Sequence, residues 1–228
     1  MTRIGVLIPT RGGERYEFLN NALRMVKKQT LQPTELYVMG EAPRDEKIDI
    51  GWRYKVGYEN LSNSNVDLIA FLEDDDWYHP QYLETMTRVW EEKGRPMLLG
   101  INYTIYYHLK LKKYFYYQHY SRASAMSTCI RPNIPNIDWG PEHDPYTDLH
   151  LWTKVGLTPS DRVLFRPENP ICIGMKGHGV GKAGGVFHDK DLERFDMEDV
   201  VNDQDGKFLE KVIGEVDTEG LQFYKAYQ

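Results

Sequence analysis

The chain has 228 residues, of which 41% are hydrophobic, so it is long enough to bury a sizeable core as one large domain. Its 28 basic and 34 acidic residues give a formal net charge of −6, which argues against broad binding to a nucleic-acid backbone and leaves a local basic groove open. Two widely spaced cysteines, and apolar runs too short for a signal peptide or an integral membrane segment, predict a reduced, cytoplasmic protein.

Strand and helix patterns alternate over the first half of the chain. Short apolar runs predict strands, and longer segments with an apolar face at helical spacing predict helices. The predicted strands are 3–8, 34–39, 52–58 and 66–72, and the predicted helices are 16–29 and 80–93. This alternation predicts an α/β protein whose mainly parallel central sheet is flanked by helices.

The second half has a less regular pattern, which predicts a small antiparallel element beside the central sheet. The expected hairpin covers 96–120, further strands lie at 124–131, 163–167 and 171–177, and one helix runs over 144–156. Beyond residue 190 the chain is polar and acidic apart from one amphipathic stretch. We therefore expect one domain over 1–190 and a C-terminal extension over 191–228 that packs on it or trails from it.

Four consecutive acidic residues, Glu73, Asp74, Asp75 and Asp76, directly follow the buried-strand run VDLIAFL. Ligands of parallel α/β sheets bind beyond the carboxyl ends of the strands, and adjacent carboxylates repel each other unless a cation neutralises them. A hard cation such as Mg²⁺ takes one or two carboxylates together with substrate phosphates. The run predicts a cation site; the alternative is a solvated turn that caps the helix beginning near Pro80.

Two segments resemble the inverting family-two glycosyltransferases of the GT-A fold. IGVLIPTRGGERYEFLNNALRMVKKQTLQPTELYVM is similar to the start of these enzymes, and VDLIAFLEDDDWYHPQYLETM is similar to their metal-binding DxD segment, often written FLDxDD. The likeness is most specific over residues 4–100 and extends faintly to about 156. It implies a Rossmann-like GT-A fold and transfer of a sugar from a UDP-sugar or GDP-sugar to a hydroxyl of a glycan or another acceptor, with Mg²⁺ or Mn²⁺ at the diphosphate.

The resemblance also implies where the nucleoside binds. Pro9, Thr10 and Arg11 match the loop that contacts the nucleoside in the family. After the second strand the family usually has VVDDGS where this chain has VMGEAP, so Gly40 stands in place of one acid and Glu41 in place of the other. Glu41 is therefore the candidate contact to the base.

Within the acidic segment, the resemblance implies different roles for the four residues. Glu73 falls on the first acid of the DxD motif, near the ribose or metal, and Asp75 falls on its last acid, the most direct metal ligand. Asp74 occupies the variable middle position and Asp76 the frequent extra acid. Glutamate in place of aspartate at position 73 is a departure from the family pattern.

The family also implies roles for basic residues in the second half. Many GT-A enzymes have a C-terminal histidine at the metal or diphosphate, and MKGHGVGKAGGVFHDK offers His178, the metal-ligand candidate, and His188. Lys176 and Lys182 are candidates for phosphate contacts. Arg131 falls where the family often has an arginine beside the acceptor cleft.

An inverting transfer requires a carboxylate that deprotonates the acceptor hydroxyl. The family supplies it from an ED pair ahead of a helix, often EDYDLW, and here TDLHLW aligns with Thr147 in place of glutamate and Asp148 on the base. Asp148 is the predicted catalytic base, with Asp144 and Glu142 as alternatives. Without the resemblance, the preferred explanation of Asp148 is that it helps to start the helix.

Two other functions remain open at this point. The departures at Gly40 and Thr147 are consistent with a catalytically silent nucleotide-sugar-binding protein of the same fold. A nucleotidyltransferase also combines a parallel sheet with metal-binding acids, and PTRGGER has a trace of the glycine- and arginine-rich phosphate loop of that class.

Overall fold

The computed structural model describes residues 2–40, 49–141, 144–153, 157–180, 188 and 192–228. It contains two β-sheets with helices packed around them. The strands, in chain order, are β1 (Ile4–Pro9), β2 (Glu35–Met39), β3 (Leu68–Phe71), β4 (Trp77–Tyr78), β5 (Leu98–Ile101), β6 (Tyr103–His108), β7 (Lys113–Gln118), β8 (Thr128–Ile130), β9 (Arg162–Phe165), β10 (Cys172–Lys176) and β11 (Val201–Asn202).

Helices lie in several of the connections between these strands and after the last strand. They are α1 (Tyr16–Lys27), α2 (Ile50–Ser62), α3 (Tyr82–Glu92), α4 (Thr147–Thr153), α5 (Lys207–Leu209) and α6 (Thr218–Lys225), with 3-10 turns at Gly13–Arg15, Ala125–Ser127 and Leu192–Asp196 and a π-helical turn at Glu210–Gly214. Among the helices of the described residues, none combines the length and apolarity needed to cross a bilayer.

The first sheet has six strands in the order β2-β1-β3-β8-β5-β9. β1 runs parallel to both β2 and β3, and β5 runs parallel to β9, whereas β8 is antiparallel to β3 and β5. The predicted mainly parallel central sheet is confirmed. Because β1, β2 and β3 are parallel, the residues that follow Pro9, Met39 and Phe71 meet at one edge of the sheet, where ligands of such sheets bind.

The second sheet has the order β11-β7-β6-β10-β4 and contains the predicted antiparallel hairpin, β6 and β7. The hairpin is shorter than predicted, because Leu98–Ile101 pairs in the first sheet and the chain changes sheets at Asn102. β10 runs parallel to β6 and antiparallel to β4. This pairing places the end of β10 beside the segment between β3 and β4.

The prediction of a strand over 52–58 is wrong, because these residues lie in α2. The aromatic and β-branched side chains of WRYKVGY imitate a strand, yet the buried residues Tyr54, Tyr58 and Leu61 recur at helical spacing. Gly57 allows the helix to approach β1 closely: a Cβ at this position would lie 2.1 Å from Leu7 Cδ1.

Residues of the expected C-terminal extension share the core of the preceding part. Phe195, Leu209, Ile213 and Tyr224 are fully buried in the same cluster as residues of β1, β3 and α1. The extension is also tied to α1 by polar contacts, described below. The boundary at residue 190 stays a prediction.

Candidate active site

The acidic segment lies at the carboxyl end of β3, in the turn between β3 and β4. Asp74, Asp75 and Asp76 are buried there, with side-chain groups from several elements around them. Asp76 Oδ1 accepts a hydrogen bond from Met175 N at 2.8 Å, which joins the segment to β10. We call Glu73–Asp76 the acidic wall of the site.

Asp75 lies at the centre of the acidic wall. Arg15 Nη2 lies 3.0 Å from its Oδ1, and His178 Nε2 lies 3.1 Å from its Oδ2. His188 Nε2 is 3.8 Å from the same Oδ2. Burial alone would raise the pKa of Asp75, but Arg15, His178 and Lys176 together lower it well below its usual value. Among the four acids of the segment, Asp75 is therefore the one that is most readily ionised.

The ring orientation of the two histidines decides what they offer to Asp75. Val180 N donates to His178 Nδ1 at 3.1 Å, and Gly177 N donates to His188 Nδ1 at 3.2 Å. These partners assign the ring hydrogen of each neutral imidazole to Nε2, the atom that faces Asp75. Metal-bound histidines normally donate through the other ring nitrogen. This geometry favours His178 as a donor that orients Asp75 over its predicted role as a metal ligand.

Glu73 and Asp74 have separate partners. Tyr54 in α2 donates its hydroxyl to Glu73 Oε1 at 2.9 Å, and Glu73 N donates to the Tyr78 hydroxyl at 2.8 Å. Arg15 Nε lies 3.1 Å from both carboxylate oxygens of Asp74. Burial raises the pKa of both acids, and it raises that of Asp76 well above its usual value. The four acids thus differ in charge because their environments differ.

The carboxylate oxygens of Glu73, Asp75 and Asp76 include a set that lies within 4.8 Å of one another. Asp76 Oδ2 is buried and has no hydrogen-bond partner within the part of the chain that the structure describes. Three clustered carboxylates with an orphaned oxygen fit a hard divalent cation such as Mg²⁺ or Mn²⁺.

The predicted nucleoside loop begins at the end of β1, and hydrogen bonds with Asp49 and Arg53 hold it in place. Thr10 is buried, its Oγ1 accepts from Gly12 N at 3.2 Å, and its carbonyl oxygen accepts from Arg53 Nη1 at 2.5 Å. Arg11 Nε donates to Asp49 at 2.9 Å, and buried Arg53 also binds Asp49, with Nη2 at 2.8 Å. The loop is thereby tied to the start of α2.

The predicted nucleoside loop starts inside a strand, because Pro9 is the last residue of β1 and is buried. The sequence analysis missed Asp49 and Arg53, because Asp49 precedes and Arg53 lies in a segment that was predicted as a strand and forms α2. Glu41 lies outside the described residues.

A cavity of about 310 Å³ is lined by residues of both the acidic wall and α4. Glu73 and Lys176 are among its lining residues, and so are Thr147 and Asp148, which we call the helix wall. Asp148 lies in the first turn of α4 with its side chain 12% exposed, and it forms an ion pair with Arg122 Nη1. The structure thus brings Asp148 to the same cavity as Glu73.

Two of the remaining candidates for the base and the acceptor cleft, Asp144 and Arg131, are not among the residues that line this cavity. Asp144 accepts from His150 Nε2 at 2.8 Å, and it does not line the cavity. Glu142 lies outside the described residues. Arg131 follows β8, which runs antiparallel to β3, so it lies at the amino end of β3, opposite the acidic wall. The expectation that Arg131 borders the acceptor cleft is therefore not supported.

Lys176 ends β10 and its buried side chain reaches the cavity. Its ammonium nitrogen lies 3.9 Å from Asp76 Oδ1, beyond hydrogen-bond distance. Burial lowers the pKa of a lysine, but Asp76, Asp75 and Glu73 outweigh that effect and raise the pKa of Lys176. The charged ammonium group of Lys176 is therefore available to an anionic group in the cavity. Lys182 lies outside the described residues.

Another polar group lines the cavity and was missed by the sequence analysis. The Tyr106 hydroxyl and Ser124 Oγ are 2.6 Å apart, and Ser124 Oγ is 3.0 Å from His119 Nε2. Burial, with a smaller effect of Arg122, lowers the pKa of His119 to about 4. No local sequence motif predicts this group, because Tyr106, His119 and Ser124 come together only when β6, β7 and the following loop fold.

Comparison with solved structures identifies similar folds. S. aureus TarS 1–349 in complex with UDP matches with a TM-score of 0.54 and 10% identity, covering 76% of this chain and 60% of that chain. The same fragment in complex with UDP-GlcNAc matches with a TM-score of 0.52 and 9% identity, covering 81% and 61%. A glycosyltransferase involved in glycosylation of the major capsid of PBCV-1 matches with a TM-score of 0.46 and 10% identity, covering 80% and 96%.

The chain has a fold similar to that of TarS. The predicted GT-A type of α/β fold is confirmed. This chain spans about three fifths of the length of the TarS fragment. No protein-family model matches the sequence, and no curated protein matches it either. Placement in the inverting family two stays a prediction.

Proposed function

We propose that this protein is a glycosyltransferase that moves a sugar from a nucleoside diphosphate sugar, a UDP-sugar first among the candidates, to an acceptor hydroxyl. The observation that carries the proposal is that Glu73, Lys176 and Asp148 line one cavity of about 310 Å³. The similar fold of TarS, crystallised with UDP-GlcNAc and with UDP, supports the choice of donor.

Each wall has its own task in this proposal. Asp148 accepts the proton of the acceptor hydroxyl as that oxygen attacks the sugar. Lys176 places a positive charge where the diphosphate departs. A single displacement with one base inverts the configuration at the sugar carbon, and proton NMR of the product tests this outcome: retained configuration contradicts it.

A divalent cation fits the same arrangement. Asp75 and Glu73, with Asp76 beside them, would hold it, and His178 would orient Asp75 through its Nε2 hydrogen. The bound cation would stabilise the negative charge that develops on the leaving diphosphate. Thr10 and Arg11, at the end of β1, are the proposed nucleoside contacts.

The test is a thermal-shift titration of nucleoside diphosphates, with Mn²⁺ or with EDTA, on the wild-type protein, Asp75→Ala and Asp67→Ala. Asp67 is the matched control. It precedes β3, whereas Asp75 follows β3, and it pairs with Arg3. We expect stabilisation by UDP that requires both Mn²⁺ and Asp75 and is kept in Asp67→Ala, since a ligand bound only to the native state stabilises it. No stabilisation by any nucleotide contradicts the proposal.

One feature favours a second candidate, a silent nucleotide-sugar-binding protein. Arg122 pairs with Asp148 and Arg15 pairs with Asp75, so both reactive carboxylates are held by cations of the chain. Metal-dependent UDP binding, with neither transfer nor donor hydrolysis over a broad acceptor panel, would support this candidate. Release of pyrophosphate from a nucleoside triphosphate and a sugar phosphate would instead indicate a nucleotidyltransferase.

A further inference from the structure

Arg15 bridges two neighbouring acids of the acidic wall. It ends the 3-10 turn between β1 and α1, and its side chain is only 12% exposed. Nε lies 3.1 Å from both carboxylate oxygens of Asp74, while Nη2 lies 3.0 Å from Asp75 Oδ1. One guanidinium group therefore neutralises part of the charge that makes the wall attractive to a cation.

This contact conflicts with ligation of a divalent cation by Asp75. Arg15 takes Oδ1 of Asp75, and the Nε2 hydrogen of His178 is directed at Oδ2. A cation bound to Asp75 needs one of these oxygens. It would also lie next to a fixed positive charge in a buried site, where repulsion between like charges is strong.

We propose that Arg15 is a built-in counter-ion that keeps divalent cations off Asp75 until the diphosphate of the donor is present. The guanidinium group then passes its Asp75 contact to a phosphate oxygen, while Nε stays with Asp74. The planar guanidinium fork suits phosphate as well as carboxylate, so this exchange preserves its hydrogen bonds. The inference rests on the proposed function, because it concerns the same cation and the same donor.

The exchange makes binding of the cation and binding of the nucleotide interdependent. The protein alone binds the cation weakly, because Arg15 competes for Asp75. With the diphosphate bound, the phosphate oxygens occupy Arg15 and add ligands for the cation. By linkage, the cation increases the affinity for the nucleotide by the same factor as the nucleotide increases the affinity for the cation.

The experiment measures Mn²⁺ binding by electron paramagnetic resonance of the free ion, with and without UDP. The proteins are the wild type, Arg15→Gln, Arg15→Lys, the control Arg24→Gln, and Asp75→Ala, which removes the proposed metal ligand. Arg24 is also a half-buried arginine of the same region, but it pairs with Asp217, the N-cap residue of α6. A thermal melt of each variant verifies that it folds.

Without UDP, we expect Arg15→Gln to bind Mn²⁺ about tenfold more tightly than the wild type, because a positive charge next to the site is removed. Arg15→Lys keeps the charge, and Arg24→Gln keeps Arg15, so both should resemble the wild type. With UDP, the advantage of Arg15→Gln should shrink or reverse, since the variant also loses a phosphate contact.

The outcomes separate this inference from the proposed function. Equal Mn²⁺ affinity of Arg15→Gln and the wild type, with and without UDP, overturns the role of Arg15 while the cation site stands, provided that Asp75→Ala abolishes binding. Failure of every protein to bind Mn²⁺, even with UDP, removes the cation from the proposed function and overturns the inference with it.

Discussion

The two walls of the cavity are built differently. In the acidic wall, the three aspartates are buried and each contacts a donor from another element: Asp74 and Asp75 contact Arg15, Asp75 contacts His178, and Asp76 contacts Met175 N. In the helix wall, Asp148 lies on a seven-residue helix, is partly exposed and pairs with Arg122.

This difference matches the two kinds of chemistry that the proposal assigns to the walls. Holding a cation and a diphosphate requires carboxylates whose positions are fixed by donors, because each misplaced oxygen costs affinity. Accepting a proton from an incoming hydroxyl requires a carboxylate that an acceptor can reach. The predictions below test whether the walls can be disabled separately.

The largest effect is expected for Asp148→Asn. The amide cannot accept the proton of the acceptor, so transfer should fall by about 10²- to 10⁴-fold. Stabilisation by UDP and Mn²⁺ should persist, because the acidic wall is untouched. Initial transfer rates and thermal-shift titrations measure the two properties.

The control for this prediction is Asp144→Asn, since Asp144 binds His150 and does not line the cavity. It should keep most of the transfer activity. An active Asp148→Asn protein together with an inactive Asp144→Asn protein would indicate that Asp144, and not Asp148, is the catalytic base.

The pH dependence of stability should show that the folded protein holds His119, a lining residue of the cavity, in its neutral form. Its folded-state pKa of about 4 is below its ordinary value, so the unfolded chain binds more protons between these pH values and stability falls as pH drops through that range. We expect the wild type to lose on the order of 2 kcal/mol more than His119→Gln between pH 7 and pH 4.5.

Urea denaturation of both proteins at these two pH values measures the difference. Acids with lowered pKa values, such as Asp217, are common to both proteins and cancel in the comparison. Parallel pH curves would show that His119 is not held neutral in the folded protein.

A smaller effect is expected from His178→Gln, which removes the donor to Asp75 of the acidic wall. Loss of a group that orients a metal ligand weakens metal affinity by about tenfold. Mn²⁺ titration in the presence of UDP measures it. A complete loss of Mn²⁺ binding would instead identify His178 as a direct ligand, the role that the sequence analysis assigned to it.

The smallest effect is expected from Trp152→Phe at the base of the helix wall. The fully buried Trp152 donates its Nε1 hydrogen to Thr128 Oγ1 at 3.0 Å, which fixes α4 to the first sheet. Loss of this hydrogen bond should destabilise the protein by about 1 kcal/mol, as measured by urea denaturation. Transfer should decrease as well, while UDP binding at the acidic wall should not change.

The sequence alone predicted much of the fold because its signals are local. The strand-to-acid transition at 66–76 and the β-α alternation before it depend on neighbouring residues. The assignment failed over 52–58, where strand-forming side chains occupy a helix whose close approach to Leu7 depends on Gly57. Tertiary packing overrode the local preference there.

Part of the candidate site was also readable from the sequence. The resemblance singled out Asp75 and Asp148, and the structure places both walls at one cavity, with Glu73 and Asp148 among its lining residues. Their chemical roles stay predictions. Arg15, Tyr54 and Arg122 went unnoticed, because an arginine or tyrosine in an ordinary helix or loop carries no sequence signal of its partner.

The sequence by itself determined the type of fold and the position of the acidic segment, because periodicity and consecutive acids are properties of neighbouring residues. Only the tertiary structure decided how each acid is neutralised. Asp75 and His178 are 103 residues apart, and Arg15 and Asp74 are 59 apart. Contacts over such separations form only after the sheets and helices have packed, so no local pattern encodes them.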